Sequence, residues 1–401
     1  MESRLRARIH TFALLRAHSP VPMHRLQISL DGSKRTSIIS IGRGLRREVG
    51  NAISKSNFFK PRRVLLISNN RVFNLFGKDV ISGLKREGLQ IFEWLMPEGE
   101  RFKSFRVLEQ AVMFLGNNGF ERNDLVLALG GGVVGDLAGF TAAIYLRGVP
   151  IIQVPTTLLA QIDSSVGGKT GINLPVGKNM VGAFHQPPLV VIDTETLSTL
   201  PKRELVAGFC EMVKQSLIAS QKLFDSTTSL LREMKTDKSI LQSAGFEALI
   251  AAHCGFKAAI VANDEREASG RSDAKSRRIL NFGHTTAHAL EAVTNYRVFR
   301  HGEAVGYGIL VAGEISKNLG LLRQEKLELL REAVHLCGPL PKAADLDVNE
   351  IIRSLQHDKK SVGGEINWVL LEDIGQPKIL PGSLISAKLL RLSLRTGLSK
   401  R

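Results

Sequence analysis

From Arg62 to Asp193 the chain alternates short apolar runs with stretches of helical periodicity, and no other feature limits its fold so tightly. RRVLLIS (62–68), LQIFEWLM (89–96), DLVLALG (124–130), PIIQVP (150–155) and VVID (190–193) read as strands, most of them buried, with helices through ISGLKREG and up to Gly119 between them. That alternation predicts an α/β domain built on a parallel, doubly wound, Rossmann-like sheet. At Pro201, a residue suited to a helix first turn, the pattern changes to long helices with few strand signals. The expected organisation is therefore an α/β domain over residues 23–200 and a mainly α-helical domain over 201–401.

The bulk numbers agree with that division. A chain of 401 residues exceeds one ordinary core, and 43% hydrophobic with 23% charged residues is the composition of a soluble globular protein. There is no run of about 18 uncharged apolar residues to span a bilayer. A formal charge of +16 would suit a nucleic-acid binder, but three tyrosines and two tryptophans supply few stacking platforms, and the basic residues are not gathered into one patch. Part of the excess lies at the ends, in Arg4, Arg6, Arg8, Arg16 and Arg25 and in a last stretch with no acid after Asp373. The rest is available to an anionic small molecule. Neither a nucleic acid nor a membrane is the expected partner. Cys210, Cys254 and Cys337 are an odd number without paired spacing, which points to a reducing compartment, the cytoplasm. Residues 1–22 are Arg-rich but lack the apolar core and cleavage site of a secretory signal. They read as an extension without fixed structure, or as the result of a start placed ahead of Met23.

Two glycine-rich segments invite phosphate. In LGGGVVGD, Gly130, Gly132 and Gly135 follow a strand and open a helix, so backbone N–H groups and a helix N-terminus can approach a pyrophosphate. The acidic residue expected about 20 positions on is missing, since that region reads VPTTLL, so a dinucleotide here is not bound in the standard Rossmann manner. The second segment, DSSVGGKTGINLPVGKN (163–179), presents Lys169, Lys178 and Asn179 among hydroxyls without periodicity of its own. It does not meet the Walker A order, and by itself it also fits a flexible surface loop.

The helical half carries a different chemistry. His284 and His288 in GHTTAHALE are spaced i, i+4 on one helix face, His301 opens HGEAV, and Glu211 lies three residues before Lys214 on another helix. Two imidazoles and one carboxylate that leave a position open form a ligand set of catalytic zinc. Spacing alone does not separate such a set from structural histidines.

Taken in order, PEGERFKS, GGGVVGDLAGF, QVPTTLLAQIDSSVGGKTGINLPVGKNMVGAFHQP, the block around Glu211, NFGHTTAHALE, HGEAV and HDKK resemble the 3-dehydroquinate synthase family across roughly residues 40–375. The resemblance implies one divalent metal, zinc or cobalt, on Glu211, His284 and His301, with His288 handling a proton or supporting the ligands. It implies NAD against Asn69, the run Glu98, Gly99, Glu100, Arg101, Phe102 and Lys103, and the turn Gly132, Val133, Val134, Gly135 and Asp136. Thr156, Thr157, Lys169, Lys178 and the run Thr196, Leu197, Ser198 and Thr199 complete that set. Around the substrate it implies Asp163, Lys169, Lys178, Asn179, Lys214, Lys257, Arg277, Asn281 and Lys360, with Lys359 as the alternative to Lys360. Departures from the family pattern are Ala287 in place of glycine, Gln215 and Ser216 in place of tyrosine-glycine, and a longer ASGRSDAKSRR stretch. Counting back seven residues from His284 selects Arg277 over Arg271 and Arg278.

The family's reaction turns 3-deoxy-arabino-heptulosonate 7-phosphate into 3-dehydroquinate and phosphate, using NAD without consuming it. The resemblance thus implies a carbon–oxygen lyase of the shikimate pathway acting on a phosphorylated sugar acid, with a homodimer as the expected assembly. Two rivals remain: another sugar phosphate cyclase, such as an inosose or valiolone synthase, and a metal-dependent alcohol dehydrogenase resembling glycerol dehydrogenase, whose histidine pair is similarly spaced. The latter lacks GGKTGINLPVGKN.

Overall fold

The computed structural model describes residues 9–16, 19–29, 36–56, 58–268, 270–361 and 366–399. Its contacts divide the chain into two compact units, Met1–Leu200 with Leu241–Ala262, and Pro201–Ile240 with Asn263–Arg401. Residues 241–262, which the sequence pattern groups with the helical half, thus pack in the first unit.

The first unit is a sheet of eight strands. Along the chain these are β1 (Ile9–Arg16), β2 (Ser19–Ser29), β3 (Thr36–Gly42), β4 (Arg63–Asn69), β5 (Gln90–Met96), β6 (Leu125–Gly130) and β7 (Ile151–Pro155). A hairpin of β8 (Lys169–Leu174) and β9 (Gly177–Phe184) stands apart as its own two-stranded sheet, and β10 (Leu189–Asp193) completes the main one. The spatial order is β1-β2-β3-β10-β7-β6-β4-β5, parallel from β3 through β5. The doubly wound parallel sheet expected from the alternation is what forms. Its cause is visible residue by residue: Leu65, Ile67, Val126 and Ala128 enter one core, whereas Val64, Leu66, Leu125, Leu127 and Leu129 enter the other. A strand buried on both faces needs apolar residues at every position, and that is how these runs read.

Two expectations are corrected. Residues 1–22 are not throughout an extension without structure, because β1 and β2 pair antiparallel and continue onto β3; residues 1–8 lie outside the described residues. The ribbon occupies backbone groups that β3 would otherwise present as an open sheet edge. Nor is 163–179 a loop. It forms a π-helical turn, Ala160–Ser164, and then the β8–β9 hairpin.

Helices α1 (Val49–Ser54), α2 (Asn70–Arg86), α3 (Phe105–Asn117) and α4 (Gly132–Ile144) follow or connect these strands. The second unit holds α5 (Lys202–Ala219) and α6 (Gln221–Met234). Most of α7 (Ala244–Asn263) returns to the first unit. The second unit then continues with α8 (His284–Val293), α9 (His301–Asn318), α10 (Gln324–Leu336), α11 (Val348–Ser361), the hairpin β11 (Asn367–Asp373) and β12 (Gln376–Pro381), and α12 (Ala387–Leu398). By length and composition α7 could cross a membrane, but 61% of its apolar window is buried and it carries buried Glu247, His253 and Lys257. Burial drives the His253 ring down to about 3, so it stays neutral.

At the carboxyl end of β10, Asp193 is fully buried and accepts from the amides of Gly44 and Arg46, from Glu195 N and from Arg46 Nη1 at 2.7 Å. Arg46 also reaches Asp79 and Glu195, and these carboxylates raise its already high pKa despite burial. Asp193→Ala removes the central acceptor and leaves a buried guanidinium short of a partner. The expected loss is roughly 3 kcal/mol of stability, read as a lower denaturation midpoint. A change below about 1 kcal/mol would show that this network does not hold the strand ends.

Candidate active site

Three helices of the second unit bring the candidate metal ligands together. Glu211 projects from the middle of α5, His284 begins α8 and His301 begins α9. The His284 and His301 Nε2 atoms are 3.3 Å apart, and each faces Glu211 Oε1, at 3.9 and 3.7 Å respectively. Tetrahedral zinc or cobalt with bonds of about 2.0–2.1 Å separates its ligand atoms by about 3.3 Å, so the three groups fit one divalent cation with small adjustment. The Glu211 carboxylate is buried; Oε2 pairs with Lys214 Nζ at 2.6 Å, and Oε1 receives no hydrogen bond. A buried carboxylate whose other oxygen meets only ring nitrogens is a group prepared for a cation.

Each imidazole has an oxygen acceptor at Nδ1. His284 Nδ1 is 3.3 Å from the Phe282 carbonyl and His301 Nδ1 is 3.1 Å from Glu291 Oε2; the tautomer with its proton on Nδ1 satisfies that oxygen and leaves the Nε2 lone pair facing Glu211. Burial, then the neighbouring Lys214, His301 and His288, hold His284 well below the ordinary imidazole range, which keeps it neutral.

This convergence requires close backbone approach. A Cβ on Gly302 would lie 2.0 Å from the Ala207 carbonyl oxygen, and one on Gly308 would lie 1.9 Å from that of Gly283. Glycine at these positions lets α9 rest directly against α5 and against the turn before α8. Glu303 then fastens the start of α9, accepting from Arg300 N and from two nitrogens of Arg203.

His288, one turn beyond His284, is exposed, and its ring lies within 5.6 Å of His284 and 5.9 Å of His301, measured between centroids. Arg277 is buried, with its amide on Asp264 and its guanidinium on the Glu265 carbonyl, whereas Arg278 is half-buried. Asn281 is exposed and donates to Glu267. Lys359 and Lys360 are on α11, and their side chains lie outside the described residues.

In the first unit the residues expected around NAD gather along one edge of the sheet. Asn69, Met96, Gly130 and Pro155 end the neighbouring parallel strands β4, β5, β6 and β7. Because β5 and β6 flank β4 on opposite sides, the winding reverses there, and such a switch point opens a crevice at the strands' carboxyl ends. The segment Glu98–Lys103 follows β5, Gly132–Asp136 forms the first turn of α4 after β6, and Thr156 and Thr157 follow β7. Lys103 is buried, with its ammonium between Asp136 and Asn179, which ties all three motif blocks to one point. Asn173 reinforces this by donating to Glu100 and accepting from Asn179 N. Thr156 Oγ1 is buried without a hydrogen-bond partner, an atom suited to a bound polar ligand.

Other members of that group are engaged in structure. Asn69 caps α2 by accepting from Val72 N, and the Thr196 hydroxyl donates to the Asp193 carbonyl; Leu197 is buried, whereas Ser198 and Thr199 are exposed. Lys257 is bonded at 2.6 Å to both the carbonyl and the carboxylate of Asp163. Lys169 is exposed and Lys178 half-buried on the hairpin. Sequence reasoning did not single out Glu291, Glu303 or Asp264. The signal for Glu291 was its spacing, seven residues after His284 and three after His288 on one helix.

Family models described as 3-dehydroquinate synthase N-terminal and C-terminal match residues 93–207 and 208–361. The chain is 39% identical over 363 residues to the 3-dehydroquinate synthase of Thermodesulfovibrio yellowstonii, spanning 89% of this chain and 96% of that one. It is 42% identical over 317 residues to the 3-dehydroquinate synthase of a Nostoc species, spanning 78% and 85% respectively. Among solved structures it is similar, at a TM-score of 0.79 and 25% identity, to a 2-deoxy-scyllo-inosose synthase complexed with carbaglucose-6-phosphate, NAD+ and Co2+; that match covers 93% of this chain and 100% of the other.

Replacing Glu211, His284 or His301 with Ala leaves two ligands where three converge. Elemental analysis of each purified variant should find less than about a tenth of the wild-type metal content. Full occupancy in all three would sink the ligand assignment.

Proposed function

The chain belongs to the 3-dehydroquinate synthase family, and from that premise we propose that it converts 3-deoxy-D-arabino-heptulosonate 7-phosphate into 3-dehydroquinate and phosphate, a step of the shikimate pathway and of aromatic amino acid biosynthesis. The observation that carries this reading is the convergence of Glu211, His284 and His301 on one point. The reading includes one divalent cation, zinc or cobalt, NAD, and a cytoplasmic homodimeric enzyme.

When bound, NAD supplies a reversible hydride acceptor for the substrate's C5 carbinol, and the cation supplies Lewis acidity toward the adjacent hydroxyls. The chain's own residues do the rest. Oxidation at C5 acidifies the C6 proton, and loss of that proton expels phosphate. The proton has to be received, and His288, exposed beside the two ligand histidines, is the imidazole assigned to that work. Lys169, Lys178 and Arg277, with Lys214 and Lys257, supply the positive charge that a dianionic phosphate and a carboxylate require. Lys214 and Lys257 lie 2.6 Å from Glu211 and Asp163, so each side-chain nitrogen is held in place by a carboxylate. Asn179, Asn281 and Lys360 complete the substrate contacts in this reading. In the first unit, Thr156 and the first turn of α4 offer a hydroxyl and free amides to the dinucleotide, while Lys103 anchors Asp136.

Incubation with the heptulosonate phosphate and a trace of NAD should release phosphate and form dehydroquinate over many turnovers per NAD. NADH rising in step with product would instead favour an alcohol dehydrogenase. If phosphate is released only from a different sugar phosphate, the chain is another cyclase of this fold.

Arg277→Lys keeps the charge but loses the planar fork that grips an anion at two points. Its kcat/KM should fall at least about tenfold, equivalent to about 1.4 kcal/mol, with metal and NAD affinity nearly unchanged. Arg278→Lys should be close to neutral, since that side chain is only half-buried and takes another direction from the same 3-10 turn. The reverse pattern would show that the assignment is one residue out of register.

A further inference from the structure

The ligand histidines are not supported alike. His284 rests against a backbone carbonyl in the turn before α8, which cannot change charge, whereas His301 faces a side-chain carboxylate. His301 is the first residue of α9, and its ring is a third exposed, so a ring at that position can swivel unless something grips its far nitrogen. Glu291, on the opposite side of that ring and only 1% exposed, supplies the grip with Oε2 at 3.1 Å from Nδ1. It comes from α8, the helix that also carries His284, so a single helix provides one ligand and orients another. Its backbone is fixed as well, because its carbonyl accepts from Tyr296 N at 2.7 Å in the turn that ends α8.

Charge argues in the same direction. With a divalent cation beside Glu211 and Lys214, the buried cluster carries a net charge of about +2 in a low-dielectric setting; an ionised Glu291 reduces it to about +1. A carboxylate that accepts the Nδ1 proton also makes Nε2 a stronger donor to the metal.

Resting on the metal reading above, we propose that Glu291 is a positioning residue that locks the His301 ring and tautomer and thereby sets the affinity of the site for its divalent cation. Glu291 is not itself a ligand and does not touch the substrate in this proposal. A separate carboxylate, Glu303, fixes the start of α9 through Arg203 and Arg300, so ring orientation and helix position are served by different groups and can be tested apart.

The experiment titrates metal-free wild-type protein, Glu291→Ala, Glu291→Gln and His301→Ala with Co2+. Binding is followed by the visible absorption of the cobalt ion, and the unfolding midpoint of each metal-free protein is recorded alongside. Glu291→Ala should bind Co2+ 10–100-fold more weakly with an unfolding midpoint near that of wild type. Glu291→Gln, whose amide oxygen can still accept from Nδ1, should recover most of that loss. Wild-type Co2+ affinity in Glu291→Ala would overturn the proposal, as would equal weakening in Ala and Gln variants that both keep the wild-type midpoint. If Glu291→Ala does not fold, the Gln variant decides: affinity within about tenfold of wild type supports the hydrogen-bond role, and a larger loss rejects it. His301→Ala separates this proposal from its premise. Full Co2+ binding in His301→Ala removes the metal reading itself, whereas loss there with no change in Glu291→Ala removes only the positioning role.

Discussion

A carboxylate buried to the last atom needs positive charge beside it, and in the helical unit that requirement organises everything nearby. Glu211 meets Lys214 on one oxygen and the Nε2 atoms of two imidazoles on the other. The His284 ring compensates nothing by itself, because burial keeps it uncharged. With a cation between Glu211 and the two ring nitrogens that buried carboxylate is compensated, so the arrangement makes physical sense as a metal centre and little sense as a core.

Satisfying Glu211 then dictates backbone packing. Three helices must place side chains from the first turn of two of them and the middle of the third within 4 Å of one another. Helix axes normally stand 8–10 Å apart, and the first residues of α8 and α9 reach Glu211 only because Gly302 and Gly308 allow contact at the level of the backbone. Buried Glu303, paired with the exposed Arg203, then holds the start of α9, where His301 stands. Stability and site geometry are therefore served by the same few contacts in this unit.

The first unit solves a different problem by different means. A parallel sheet buried on both faces has its free backbone groups and helix N-termini at the carboxyl ends of its strands, and the reversal of winding at β4 opens that edge. Lys103 joins the segment after β5, the first turn of α4 and the β8–β9 hairpin through Asp136 and Asn179. The hairpin shows why 163–179 resisted reading from its sequence: its strands carry glycines in place of alternating apolar residues, so close backbone pairing replaces side-chain periodicity as the source of order.

What the sequence determined by itself was whatever depends on local spacing or on long motif order. The two-sided apolar runs specify the parallel sheet, the i, i+4 histidines specify a shared helix face, and the ordered blocks from PEGERFKS to HGEAV specify the family. What only the tertiary structure decided is which groups meet across distant segments. Spacing left four candidate ligands open, and geometry brought Glu211, His284 and His301 to one point with His288 on the margin. Glu291 and Glu303 were invisible as partners because their significance lies in what faces them after folding, ten and one hundred residues away in the chain. Strand pairing at β1 and β2 was hidden for the same reason: an edge ribbon draws its order from the backbone groups of β3, and no pattern within residues 9–22 records that those groups are there to be met.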